Sequence, residues 1–507
     1  MAQKIIIIGA GIAGLSAGLH AKANGFDAEI YEAHTIPGGL CTSWKRGKYL
    51  FDGCIHWLTG SSGRDNLGKY LVEVGVLQGR SFIHHDEINR FQIGTGDNTQ
   101  WFIVYTDPQR LNAHMKKISP TDGEEIDNFT RLINKFKTFP SAIDKPAELW
   151  GMGDFLSMMK GMKPFMKEYQ QYGKLSVEEY AERFKSPLLQ EAIPHILNMS
   201  NFSFFALLMM MAWHADKNAG YPVGGSLAFA QSMEKAFLSS GGIIHYGKRV
   251  TKIITSKGKA CGIITEDGTQ HSADIVIGAA DGEKTIFGML EGKFVSNKIK
   301  RIYQETPLFN SMFQVNLGVK RDFSAEPPLA VYQLQESVSL QNKSYTELGI
   351  RHLCYDPSMA PAGCSVLQII YPGDYDYWKQ LSTTPASYRA EKEKATEHLL
   401  AALETVYPGI QSDIETIDTA TPVTWERYTA NRRGTIEGWF INPKTMMLRV
   451  PKTLPGLKNF YMVGQWVQPG GGITSSIKSG RDAIQVICKK TRQVFTPANV
   501  GSQNIQQ

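Results

Sequence analysis

Cysteine is scarce and scattered in this chain of 507 residues: six, at positions 41, 54, 261, 354, 364 and 488, with no Cys-x-x-Cys pair and no Cys/His cluster. That spacing argues against a disulfide framework and against a metal centre, so no metal ligands are expected and Cys54 reads as structural. No apolar run approaches the roughly eighteen residues that a membrane-crossing helix needs. Met1–Lys4 lead directly into a strand pattern, which leaves no room for a signal peptide. The net charge of +6 is modest, and no basic stripe interleaved with aromatics supports nucleic-acid binding. A cytoplasmic protein is expected, with peripheral contact to an anionic membrane surface as the alternative. The sequence also lacks an internal repeat and a recognisable catalytic triad. With 42% apolar and 20% charged residues, it has the balance and length of a folded enzyme with two substantial cores.

What the sequence does have is concentrated at the start. Ile5–Ile8 read as a buried parallel strand, and Leu15, Ala17, Leu19, Ala21 and Ala23 sit on the helix that follows a glycine turn. In that turn Gly9 allows the tight reversal, Gly11 lets backbone approach a pyrophosphate, and Gly14 permits close packing of helix on strand. The diphosphate would face the helix N-terminus, where amides and the helix dipole favour an anion. Residues 28–32 read as the second strand, and Glu32 at its end is placed to accept hydrogen bonds from ribose hydroxyls and to disfavour a 2′-phosphate. The fold class implied is α/β, built on a Rossmann-like dinucleotide-binding domain.

The stretch Gly38-Gly-Leu-Cys-Thr-Ser-Trp-Lys-Arg-Gly-Lys-Tyr-Leu-Phe-Asp52 has no counterpart in an ordinary nicotinamide dehydrogenase. It resembles the FAD-binding amine oxidase superfamily, and in particular its branch of phytoene desaturases, carotenoid isomerases and retinol saturases; Gly53-Cys-Ile-His56-Trp57 is closest to the saturase-like members. The resemblance continues through Tyr221-Pro-Val-Gly224-Gly225, Val250 and Ala273–Asp281, and through Asn459–Trp466 into Pro469-Gly-Gly-Gly472-Ile473. It implies FAD as cofactor, with Gly38 and Gly39 wrapping the diphosphate, Arg46 near it, and Val250 offering backbone to adenine. It also implies that Gly464, Gln465, Gly472, Ile473 and Thr474 contact phosphate, ribitol and flavin ring, the last from the start of a helix over about 474–486. Gln465 departs from the family, in which many members carry Asp or Glu.

The three signature blocks are far apart, so the FAD-binding domain is expected to be discontinuous: 1–85, 220–289 and 431–490. Insertions at 86–219 and 290–430 would form a mixed-sheet and helical substrate domain, and 491–507 a disordered tail. The first insertion reads as mostly helical. Its Phe155, Met158, Met159, Met162, Phe165 and Met166, with Lys160, Lys163 and Lys167 among them, fit either a helix lying in a membrane interface or an amphipathic helix packed on the body. Phe202–Trp213 reads as a core helix or tunnel wall. In the second insertion, strands are expected at 312–319, 352–355 and 366–371, and a charged helix near 388–406.

For chemistry, His56 is the first candidate for a polar group beside the substrate, with packing against Trp57 as the alternative. Arg427 and Tyr428 are second, to hold a polar substrate end or complete the cavity, with surface pairing as the alternative; His214 reads as a structural histidine. The resemblance implies an FAD-dependent oxidoreductase that saturates or desaturates carbon–carbon bonds of a long apolar isoprenoid, a retinoid or carotenoid. A cis–trans isomerase using reduced FAD, a flavin amine oxidase and a non-enzymatic lipid-binding module are the alternatives. No second Gly-x-Gly-x-x-Gly follows a strand, so the electron donor or acceptor is expected to be a redox partner, a quinone or oxygen.

Overall fold

Four isoleucines in succession, branched at Cβ, favour extended backbone and suit a strand covered on both faces. In a computed structural model, which describes residues 2–94, 96–140, 144–199, 201–446 and 448–500, they form the centre of β1 (Lys4–Ile8) and are fully or almost fully buried. The chain turns into α1 (Ile12–Ala23), returns as β2 (Asp27–Tyr31), and makes a hairpin of β3 (Ser43–Arg46) and β4 (Tyr49–Asp52). After α2 (Asn66–Glu73) come β5 (Glu87–Ile93) and β6 (Gln100–Tyr105), then a helical run that includes α3 (Gly123–Phe136), α4 (Met152–Met162) and α5 (Phe204–Ala215). The chain goes on through α6 (Gly225–Ser239), β7 (Ile243–His245), β8 (Val250–Ser256) and β9 (Ile275–Gly278). Four strands follow, β10 (Ser311–Val319), β11 (Leu329–Leu340), β12 (Lys343–His352) and β13 (Ser365–Gly373), then α7 (Pro385–Val406), β14 (Ile414–Ala420) and α8 (Pro422–Thr429). The last elements are β15 (Phe460–Met462) and α9 (Ile473–Lys490).

Two large sheets result. The first is parallel throughout, in the order β7-β2-β1-β9-β15, so strands more than 450 positions apart in the chain lie in one sheet. Such pairing needs covering helices on both faces, and α1, α6 and α9 supply one side. The second is mixed, in the order β14-β10-β13-β12-β11-β5-β6, with β11 and β5 parallel and the other pairs antiparallel. One face of it packs Phe313, Val315, Leu317, Leu348, Ile350, Leu367 and Ile369 under α7.

Several expectations need correction. The first insertion opens with a hairpin, β5 and β6, that joins the second sheet; its Phe91 and Phe102 are buried against the helices. The run at 352–355 is not a strand: β12 ends at His352, and Leu353–Tyr355 form one turn of 3₁₀ helix. The long hairpin β11–β12 was not anticipated. Of the tail expected to be disordered, the part up to residue 500 is anchored to the body: Phe495 stacks on His20, and Asn24 and Thr496 exchange two hydrogen bonds at 2.7 and 2.8 Å. Residues 501–507 lie outside the described residues.

Candidate functional site: a dinucleotide cradle beside a polar sheet face

The turn from β1 to α1 has the geometry its glycines require. Gly9 has φ of +104°, and a Cβ on Gly14 would stand 2.0 Å from the Gly9 carbonyl oxygen, which only glycine avoids. A Cβ on Gly11 would instead meet nothing nearer than the Gly38 carbonyl oxygen at 3.9 Å, so this side of the turn is open. Gly38 bridges Gly11 and donates its N–H to the Ala10 carbonyl at 2.9 Å, which brings Gly38 and Gly39 onto the same turn. Gly11 caps α1 without a side-chain hydrogen bond, and no acid stands in the first turn. The helix therefore presents free amides and an uncompensated positive end. Glu32 is fixed beside it: Oε2 accepts from the Ala10 N–H and Oε1 from the His34 N–H, both at 2.7 Å. Each oxygen keeps a lone pair for a ribose hydroxyl. The backbone of Glu32 also pairs with His245 and Lys248, which carries the segment entering β8 at Val250 along the same edge.

A second uncapped helix end lies nearby. Gly464, with φ of +94°, follows β15, and its Cβ would touch Ala13 in the first turn of α1 at 3.4 Å. Gln465 donates to Asn431 Oδ1 at 3.3 Å. Gly470, Gly471 and Gly472 all take positive φ, and α9 begins at Ile473 with no side-chain cap and no acid in its first turn. Thr474 ties that turn down by donating its hydroxyl to the Thr59 carbonyl at 2.6 Å. The two helices cross closely, since a Cβ on Gly480 would lie 2.5 Å from the Ala13 carbonyl oxygen. Beneath them Arg481, only 1% exposed, bonds Glu73 through Nε at 2.6 Å and Nη2 at 3.2 Å, and His20 reaches Glu73 at 3.2 Å. Burial pushes the Glu73 carboxyl up, but the hydrogen bonds from His20 and Arg481 prevail and hold it below the usual carboxylate range.

The face of the second sheet opposite α7 is polar. Residues directly paired across strands share a face, and the register aligns Asn316 with Gln368 and Gln368 with Arg351. Gln368 and Gln314 both donate to the Asp52 carbonyl, at 2.8 and 3.3 Å, and so join this face to the β3–β4 hairpin. Arg351 has no hydrogen-bond or ion-pair partner among the described residues. It lies deep in the protein yet keeps part of its surface free, as do His56 and Tyr355, the combination expected of groups that line an internal cavity. Burial, and then the Arg351 charge, hold His56 well below its ordinary pKa. The same two causes bring His85 to about 4. His214 is brought to about 3 by burial and the charges of His85 and His84. Its Nε2 is buried without a partner and its ring stands edge-on to Trp57, so it is not the satisfied structural histidine expected. Met209 and Met210 of α5, with Ile436 and Phe440, are partly buried against the core of the helical layer.

Glu437 was missed by sequence reasoning. It has no hydrogen-bond partner among the described residues, sits against Gly471 just before α9, and is pushed up to about 7 by burial alone. It lies between Gly434 and Gly438-Trp439, and a carboxylate in that glycine-flanked stretch was the available signal. Arg351 was missed too. Its signal is a cation on the polar phase of an alternating strand, Glu347-Leu-Gly-Ile-Arg351, whose other phase is buried.

Three expected site residues are elsewhere. Arg46 ends β3 half-exposed and pairs with Asp418 of β14 at 2.9 Å, because the hairpin leans on the second sheet. Arg427 and Tyr428 are exposed, since α8 turns Trp425 inward; Arg427 lies over the Tyr428 ring at 4.7 Å, and Tyr428 is edge-on to His34.

Comparison with known proteins agrees with this geometry. The family described as flavin containing amine oxidoreductase matches residues 12–488. The chain is 24% identical to prolycopene isomerase of Daucus carota over 94% of its own length and 78% of that protein. It is 22% identical to a lycopene-forming phytoene desaturase of Pseudescherichia vulneris, over 94% and 98% of the two chains. An oxidoreductase from Methanosarcina mazei shares the fold with a TM-score of 0.59 at 17% identity, covering 95% of this chain and all of that one. The residues present fit FAD: a Cβ-free approach at Gly11, an equally open Gly472, two helix ends with no cap of their own, and the Glu32 carboxylate held beside the first of them by the Ala10 N–H. The chain belongs to the flavin-containing amine oxidoreductase family and is an FAD-dependent oxidoreductase.

Proposed function

We propose that this oxidoreductase acts on carbon–carbon bonds of a long apolar isoprenoid, a carotenoid or retinoid, by saturation or desaturation. The observation that carries the reading is the uncapped start of α9 with the partnerless Glu437 against Gly471 just before it; the partly buried Met209 and Met210 of the helical layer have flexible thioethers that adapt to a polyene. The relatives named for prolycopene isomerisation and phytoene desaturation support it. On this reading residues 1–85, 220–289 and 431–490 hold the cofactor, and 86–219 and 290–430 shape the substrate cavity. Gly9, Gly11, Gly14, Gly38 and Gly39 accommodate the diphosphate, Glu32 the ribose, Val250 the adenine, and Gly464, Gln465, Gly472, Ile473 and Thr474 the ribitol and ring. Bound FAD supplies hydride transfer. The protein excludes water, orients the chain, and moves a proton at the Glu437 carboxyl. A protonated amine would enter against the unpaired Arg351, which disfavours an amine substrate.

The second electron carrier is a quinone, oxygen or a redox partner. We propose that α4 meets a lipid surface, the source of so apolar a substrate. None of its residues is buried; Met152 is 78% and Leu156 61% exposed, with Phe155 and Met159 beside them and Lys160, Lys163 and Lys167 placed for anionic headgroups. Among the described residues no helix is long and apolar enough to cross a membrane.

The test is anaerobic incubation of the holoenzyme with reduced flavin and a panel of retinoids and carotenoids, following product mass. A change of two hydrogens supports the reading and gives its direction. Unchanged mass with altered retention replaces it with isomerisation, which the prolycopene isomerase relative makes the second reading. Peroxide formation from amines, with no polyene product, refutes it.

A further inference from the structure

An arginine deep in a protein normally has a carboxylate to face, because an unpaired interior charge is strongly unfavourable. Arg351 has none. Two buried carboxylates of neighbouring segments are already engaged: Asp52 accepts from Ser43 Oγ, the Cys54 N–H, and both the N–H and Oγ of Ser226, and Asp356 accepts from the Gly224 N–H and from Ser358. The groups whose charge states respond to Arg351 are His56, His85 and Tyr355, none of them an anion at neutral pH. The register of β12 against β13 fixes the guanidinium on the polar face, so it cannot leave the interior by a change of rotamer alone.

We propose that Arg351, with His56 and Tyr355 around it, is an anion-recognising pole of the substrate cavity, and that the natural substrate is an apolar chain ending in a carboxylate. The inference rests on the reading of the cavity as a site for an apolar chain and adds the chemistry of the substrate's end. A guanidinium presents two parallel N–H donors to a carboxylate, and a hydroxyl or hydrocarbon end cannot use both or neutralise the charge. Arg351 is a binding and specificity residue in this scheme, and Glu437, against Gly471 just before α9, is a separate group.

The experiment uses the holoenzyme with all-trans-retinoic acid and all-trans-retinol, which share one polyene and differ in end group, and with hexadecanoate, which shares only the carboxylate. Binding is read from perturbation of the flavin spectrum or quenching of tryptophan emission, in the wild type and in the variants Arg351→Met and Arg351→Lys. The wild type is expected to prefer the acid over the alcohol by at least about tenfold. Arg351→Met should abolish the preference while affinity for the alcohol and flavin content hold, and Arg351→Lys should restore part of it. Equal affinity for acid and alcohol in the wild type, or a preference that survives in Arg351→Met, overturns the proposal. So does loss of flavin from Arg351→Met, which would place the guanidinium on the cofactor. Tight binding of hexadecanoate and retinoic acid alike, with no polyene turned over, keeps the pole and refutes the isoprenoid reading. Turnover of both retinoids with equal affinity does the reverse, and failure of all three ligands to bind overturns both.

Discussion

A single methyl group placed at Gly11 or at Gly14 should separate the cradle's role in folding from its role in holding FAD. At Gly14 the added carbon would lie 2.0 Å from the Gly9 carbonyl oxygen and 3.2 Å from the Ala279 Cβ. Both obstacles are rigid, one backbone and one Cβ, so α1 must move off β1 by more than about 1 Å to restore van der Waals distance. With Leu15 and Ala17 fully buried on that helix, Gly14→Ala should cost about 3 kcal/mol of apoprotein stability, the upper end of the range for overpacking. At Gly11 the backbone already has φ of −67° and ψ of 172°, which any residue adopts, and the added carbon meets only the Gly38 carbonyl oxygen, at an uncrowded 3.9 Å. Gly11→Ala should therefore leave apoprotein stability unchanged and obstruct only the approach of a diphosphate. If it weakens FAD by about 100-fold, then at an FAD concentration about 1,000 times the wild-type Kd the cofactor's stabilisation falls from about 4.1 to about 1.4 kcal/mol. Urea unfolding with and without added FAD, alongside flavin content after gel filtration, measures both quantities. A Gly11→Ala protein that keeps stoichiometric FAD, or that is destabilised as an apoprotein, would refute the assignment of this turn.

The Glu437 carboxyl, pushed up to about 7 by burial, should set the pH dependence of turnover. If it donates a proton during saturation, kcat/KM falls as pH rises through about 7; if it accepts one during desaturation, kcat/KM rises over the same interval. Glu437→Gln should lower kcat by about 100-fold or more and flatten the profile, and an unchanged profile would remove it from the chemistry. Arg481→Met strands the buried Glu73 charge and should cost about 3–5 kcal/mol by chemical denaturation, with flavin lost alongside because α9 shifts; adding Glu73→Leu should recover much of that stability. Replacing Phe155 and Leu156 with serine should abolish co-flotation with anionic liposomes while leaving the flavin spectrum unchanged, and undiminished flotation would dismiss α4 as the contact.

The parts legible in the sequence are those whose physics is local. Ile5–Ile8 announce a buried strand by composition, Gly9, Gly11 and Gly14 announce the turn by steric need, and Glu32 follows at a distance fixed by one helix and one strand. α5 and α7 were legible for a related reason, since an unbroken apolar run and a long charged run each leave few alternatives. The β11–β12 hairpin was not, because much of β11 is only partly buried and Gln333, Gln335, Glu336 and Ser337 carry polar side chains in a bulged register. The tail misled because polar composition says nothing about a phenylalanine that finds a histidine ring to cover.

The catalytic candidates show why the rest was hidden. Arg427 and Tyr428 were candidates to hold a polar substrate end or complete the cavity, yet the phase of a helix decides which side chains turn inward, and α8 gives that place to Trp425. Arg46 was placed near the diphosphate by the family resemblance, and the β3–β4 hairpin carries it to Asp418, 372 positions away. Conversely Arg351 and His56 are nearly 300 positions apart, and only the register of β12 on β13, with Gln368 tied to the Asp52 carbonyl, brings them together. A one-residue slip in that register would turn Arg351 into the apolar layer under α7 and Ile350 into the cavity. The packing of Ile350, Leu348 and Ile369 against α7 opposes that slip, so the hydrophobic core on one face of the sheet holds the charged group in place on the other.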